Sequence, residues 1–191
     1  MSGEGRLKET PSQTAGPYLH IGLTPTLAFP GGLNVTELGS DPVSGTGARI
    51  LVSGRILDGA SEPVRDAVVE FWQADADGRH TNTWRRTASD DDGAYSLDTV
   101  KPGRVSGPDG RLMAPHLTLW IVARGINVGL HTRLYFEDES EANASDFVLS
   151  RVPDLRRRET LIATKSRNGD TTVYSFDIRL QGQGETVFFD V

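Results

Sequence analysis

The chain contains no cysteine among its 191 residues. Disulfides, thiolate nucleophiles and cysteine-held metals are therefore excluded. No apolar run approaches the roughly 20 residues that a membrane-spanning helix requires. The opening MSGEGRLKET is polar and lacks the apolar stretch of a secretory signal. Without a signal or disulfides, the expected location is cytoplasmic. Positive charge is in deficit: 20 Lys and Arg face 26 Asp and Glu, for a net charge of −6. That balance argues against a nucleic-acid partner, whose binding surfaces are usually basic. What the chain does have is glycine (21) and proline (10) between short apolar runs, with 37% hydrophobic residues overall. This suits one globular domain with a core of its own.

Residues 1–48 show no periodic pattern. TPSQTAGPY and FPGG are loop chemistry, in which proline fixes φ and glycine permits turns. The segment nevertheless carries Tyr18, Leu19, Ile21, Leu23, Leu27 and Phe29. That is too much apolar surface for a free tail, so it reads as an arm packed on its own domain or on a partner. From residue 49 to 191 the pattern is β. ARILVSGRIL, AVVEFWQA, the two halves of RRTASDDDGAYSLDTV, APHLTLWIVARG, HTRLYF, TTVYSFDIRL and ETVFFD read as short strands between turns. ESEANA and DLRRRETLIA are the main helical candidates. The expected class is all-β, a sandwich or barrel with short helices.

His116 lies in MAPHLTLWIVARG with no second ligand beside it. By itself it is either a strand histidine satisfied by a hydrogen bond or one ligand of a larger set. Such a set would have to draw on His80 and a carboxylate such as Asp75.

The ordered blocks TPSQTAGPYLHIGL (10–23), EFWQADADG (70–78), DTVKPG (98–103), MAPH (113–116), ARGINVGLHTRLYFEDE (123–139), RRETLIA (157–163) and YSFDIRLQGQGETVFFD (174–190) carry a stronger signal. Together they resemble the intradiol ring-cleaving dioxygenases, and within that family the α-type subunits of its two-subunit, protocatechuate-cleaving members. The resemblance implies a β-sandwich with an extended N-terminal arm. Catalytic chains of the family hold a non-haem Fe(III) with two tyrosinates and two histidines, the histidines at i and i+2 on one strand face. Hard anionic phenolates stabilise the ferric state. Here His116 keeps the first histidine position and Thr118 stands at the second. His80 and Val105 stand where the tyrosines are expected, and Met113 replaces an arginine three residues before the histidines.

The resemblance therefore implies no catalytic or metal-binding residue on this chain. Fe(III) is expected on a partner β subunit, within a higher-order αβ oligomer that opens protocatechuate with O2 to 3-carboxy-cis,cis-muconate. The α-type chain is expected to supply a wall of the substrate pocket: Thr14, Gly16 and Pro17 of TAGPY, and Arg124 of ARGIN. A guanidinium can grip a ring carboxylate through paired charge-assisted hydrogen bonds. Gly16 and Pro17 would form a rigid loop with no bulky side chain facing the ring. Tyr18, His131 and Arg133 rank behind these. Three readings stay open: a non-catalytic subunit of such an enzyme, a self-sufficient metalloprotein, and a β-sandwich interaction module without catalysis.

Overall fold

The structure, a computed structural model, describes residues 10–29, 31, 38–40, 43–80 and 83–190. In one layer β1 (Arg49–Leu57) is central. It pairs antiparallel with β4 (Ala94–Val100) and parallel with both β10 (Thr171–Ser175) and β11 (Ile178–Arg179). The other layer is antiparallel and runs β3 (Arg85–Ala88), β2 (Val68–Trp72), β7 (His116–Val122), β8 (Leu130–Phe136). β9 (Ile162–Asn168) joins the two: its start lies parallel to β8 and its body pairs antiparallel with β10. The sheet thus folds over on itself as a sandwich, with Ile50, Val52 and Leu97 meeting Val69, Leu119 and Leu134 in one buried core. Alternation explains the orientation of β7, where Leu117, Leu119 and Ile121 enter the core and Thr118 and Trp120 do not. Among the described residues no helix is long and apolar enough to cross a membrane.

One glycine is required where the sheet bends. A Cβ on Gly54 would lie 1.8 Å from the Phe176 carbonyl oxygen. That carbonyl also accepts a 2.6 Å hydrogen bond from the buried Tyr95 hydroxyl. Only glycine lets β1 approach the chain as it passes from β10 to β11.

Several elements differ from the sequence expectation. DLRRRETLIA divides into α4 (Leu155–Glu159), capped by the Asp154 carboxylate, and the start of β9. ETVFFD is extended but pairs only through a bridge between Phe189 and His131. A small hairpin, β5 (Val105–Ser106) with β6 (Leu112–Met113), surrounds the GPDG turn. ESEANA does form a helix, α3 (Ser140–Ser145). The arm carries two short helices, α1 (Leu19–Leu23) and α2 (Pro25–Ala28), which its lack of periodicity did not announce.

The described parts of the arm lie on the chain's own domain. Thr24 and Val43 are buried, Arg86 donates to the Leu23 carbonyl at 3.4 Å, and Ala76 N donates to the Thr46 carbonyl. Residues 1–9, 30, 32–37 and 41–42 of the arm lie outside the described residues. Tyr18, Leu27 and Phe29 are exposed, so Tyr18 is not a core aromatic.

A single carboxylate braces a second, smaller core that contains Ala114, Tyr135, Leu149 and Leu161. Asp146 is fully buried just past α3. Its Oδ1 accepts from Val148 N at 2.9 Å, Leu149 N at 2.8 Å and the Tyr135 hydroxyl at 3.2 Å. Its Oδ2 accepts from Ala114 N at 2.8 Å. Replacing Asp146 by alanine strands the buried Ala114 and Leu149 N–H groups, at a cost of about 3 kcal/mol or more. Thermal denaturation should show a melting temperature lower by roughly 6–12 °C, with Asp146→Asn affected less. An unchanged melting temperature for the alanine variant would contradict this role.

Candidate functional site

The positions that the resemblance assigns to metal ligands can be followed from the strand register. His116 lies opposite Tyr135 and Thr118 opposite Arg133 across the β7–β8 pair. Directly opposed residues share a face, so these four side chains stand together on the side away from Leu117 and Leu119. The β5–β6 hairpin sets Val105 opposite Met113. The Met113 sulfur lies 3.4 Å from Arg133 Nη1, and that nitrogen is also 3.4 Å from the Tyr135 hydroxyl. Arg133 thus brings a cation among the positions of Val105's partner, Thr118 and Tyr135.

His116 is buried, and its Nδ1 lies 2.8 Å from the Ala114 carbonyl. A carbonyl only accepts, so Nδ1 carries the hydrogen and Nε2 the lone pair. Burial, and then the neighbouring Arg133 charge, lower the pKa of His116 from 6.5 to about 4, against the opposing pull of the Ala114 bond. Burial likewise raises the Tyr135 hydroxyl above the usual tyrosine range although Arg133 works in the other direction. His80 is exposed and adds a smaller repulsion to a protonated His116.

This donor set does not fit a ferric ion. Val105 has no donor, Thr118 offers a neutral hydroxyl, and Tyr135 is held in its neutral form rather than as a phenolate. Arg133 adds positive charge where Fe(III) chemistry needs negative ligands. Asp75 brings no ligand either: its Oδ1 accepts from Asp77 N at 3.0 Å and Arg79 N at 2.9 Å, closing its own turn. The Arg79 amide bond in particular holds its pKa below the usual value. Among the described residues no three His, Asp or Glu side chains cluster as a metal site.

The residues expected to form a pocket wall lie elsewhere. Ala15 bridges to Arg124 in parallel fashion just past the end of β7. Thr14 Oγ1 accepts from Gly125 N at 2.6 Å, and Ser12 Oγ donates to the Asn127 carbonyl at 2.6 Å. The arm is therefore laid along ARGIN, which places Thr14 next to Arg124. Gly16 and Pro17 follow and are exposed. A Cβ on Gly16 would meet nothing within 4 Å, so packing within this chain does not require a glycine there.

Arg124 is not the freely solvated strand-end arginine that its position suggests. Its Nη2 bonds Asp66 Oδ2 and its Nε donates to Asp66 Oδ1 at 3.3 Å, while 56% of its side chain stays exposed. It stands between two clefts of 770 and 640 Å³, the first lined by His20, Asp66 and Tyr95, the second by Val64, Ile126 and Leu180. Sequence reasoning missed Asp66, since nothing local links it to a residue 58 positions later. From His116 to Arg124 the chain runs along β7, which at strand rise separates the two sets by roughly 25 Å.

A family profile described as "Dioxygenase" matches residues 31–182. The protocatechuate 3,4-dioxygenase α chain of Pseudomonas putida is 47% identical, over 96% of this chain and 97% of its own. The α chain of the same name from Burkholderia cepacia is 39% identical, over 97% and 98%. The β chain from Burkholderia cepacia is 31% identical, over 73% of this chain and 67% of its own. The chain belongs to the intradiol dioxygenase family. Solved family members share its fold: 3-chlorocatechol 1,2-dioxygenase from Rhodococcus opacus 1CP at TM-score 0.60 and 20% identity, over 72% of this chain and 62% of that one. Catechol 1,2-dioxygenase from Pseudomonas arvilla C-1 gives TM-score 0.58 and 23% identity, over 76% and 54%.

His116 provides a pH test. Its pKa in the folded chain is about 4, against 6.5 for an unperturbed histidine. As pH falls, the unfolded chain binds the proton first. Stability is therefore complete above about pH 6.5 and declines toward pH 4, by up to about 3 kcal/mol. Denaturant melts from pH 7 to 4 should show this slope in the native chain and a flatter one in His116→Gln. Identical slopes would show that His116 is already solvated or protonated in the folded state.

Proposed function

We propose that this chain is the α subunit of a hetero-oligomeric protocatechuate 3,4-dioxygenase. The oligomer cleaves protocatechuate with O2 between its hydroxyl-bearing carbons, giving 3-carboxy-cis,cis-muconate in the cytoplasm. The observation that carries this reading is the separation along β7. Thr14 and Arg124 form a built wall roughly 25 Å from the chain's own ligand positions, too far to serve them. A wall without a reaction centre of its own belongs to a pocket completed by another chain. The names of the α-chain relatives and of the β chain supply that partner.

Fe(III) is assigned to the β subunit, where it would supply the activation of the catecholate toward O2. This chain binds and orients. Arg124 offers its unpaired donors to the ring carboxylate, and the Thr14 bond to Gly125 fixes the arm beside it. Gly16 and Pro17 leave room for the flat ring. The arm is assigned residues 1–48; its described parts lie on the domain and present Tyr18, Leu27 and Phe29 to the partner. These side chains are exposed, and burying such groups is worth roughly 1.5–3 kcal/mol each.

The test uses α and β chains assembled together. Arg124→Ala removes a charge-assisted hydrogen bond worth roughly 1.5–3 kcal/mol, or about one to two decades in affinity. KM for protocatechuate should rise accordingly, with iron content unchanged. Catechol, which has no carboxylate, should lose little. Equal losses on both substrates would assign Arg124 to the fold or the interface.

A further inference from the structure

We propose that Asp66 is a positioning residue for the wall: it holds Arg124 by one edge so that the other end of the guanidinium meets a ring carboxylate in a single orientation. This rests on the reading of Arg124 as a wall residue. Asp66 adopts φ 57°, a left-handed conformation shared among the described non-glycine residues only by Ser61. Aspartate is among the few side chains that tolerate it. The turn around it is braced by the end of β3. Ser89 Oγ donates to the Val64 carbonyl at 2.7 Å and accepts from Ala67 N at 3.0 Å, and Asp66 N donates to the Ser89 carbonyl at 3.3 Å. With residues on both sides pinned, the carboxylate has little freedom to swing.

The pair is asymmetric. The Asp66 side chain is 10% exposed and that of Arg124 56%. The carboxylate is the fixed anchor and the guanidinium the projecting part. Asp66 takes the Nε–Nη2 edge. A guanidinium has five N–H donors in a rigid fork, so the Nη1 group and the second Nη2 hydrogen remain, and they have no partner among the described residues. Left alone, a long exposed arginine samples many rotamers and loses that freedom on binding. Held by one edge, it is already ordered. Because Asp66 also neutralises Arg124, the clamp selects by geometry rather than by net charge. The ligand class it fits is a planar carboxylate attached directly to a catechol ring.

The experiment assembles Asp66→Ala, Asp66→Asn, Arg124→Ala and the Asp66→Ala/Arg124→Ala double variant with one common β chain. Each complex is assayed on protocatechuate and on catechol, with iron content and melting temperature as controls. Asp66→Ala should raise KM for protocatechuate about tenfold with kcat within about twofold. Asp66→Asn keeps the backbone conformation and one acceptor, so its effect should be intermediate. The double variant should behave like Arg124→Ala alone, because Asp66 acts only through that side chain. Full additivity, an equal loss on catechol, or a lowered KM in Asp66→Asn would overturn the proposal. If Arg124→Ala raises KM and Asp66→Ala does not, this inference fails alone. A native complex that does not turn over protocatechuate removes the functional reading beneath it.

Discussion

The guanidinium of Arg133 lies against the Met113 sulfur and the Tyr135 hydroxyl, opposite Thr118. Its charge governs what that part of the sheet can hold. A ferric ion requires anionic oxygen ligands, which this cluster does not offer, and the cation disfavours a protonated histidine. Burial, and then this charge, keep His116 neutral, with Nδ1 bound to the Ala114 carbonyl. Asp146 answers it in another way: its buried carboxylate supplies the negative charge the cluster needs, but is committed to the Tyr135 hydroxyl and three backbone amides. The result is a hydrogen-bonded network of polar groups around His116 and Asp146.

β7 separates this region from Arg124. At one end His116 joins the polar network, and past the other end Arg124 and Gly125 receive the arm through Ala15 and Thr14. Between them Leu117, Leu119 and Ile121 anchor the strand in the core. A strand with a hydrogen-bonded histidine at one end and a projecting guanidinium past the other suits the proposed role of a subunit that lends a wall to its neighbour. The exposed Gly16 and Pro17 and the uncovered apolar groups of the arm fit the same arrangement.

Much of this was legible in the sequence where alternation was strong. β1, β2, β4 and β7 each carry a buried residue at every second position over most of their length, and their turns are marked by DGASEP, DADG and DDDG. β9 was not legible, because only its first residues enter the core and TKSRN is exposed throughout. α1 and α2, at five and four residues, are too short for helical periodicity to show. In the site, TAGPY and ARGIN pointed to Thr14 and Arg124, and the structure brings these two together. Asp66 could not be found this way: its partner is remote in sequence, and its value depends on a left-handed backbone. The placement of Arg133 also needed the β7–β8 register, which no local pattern encodes.

The central claim is that this chain contributes a wall while its partner carries the metal. Metal analysis and visible absorption of the purified chain, alone and assembled with the β chain, address it most directly. Tyrosinate-to-iron charge transfer colours a ferric site held by phenolates. The expected result is a colourless chain without stoichiometric iron, and a red-brown complex with about one iron per αβ pair. A red chain that holds about one iron by itself would contradict it.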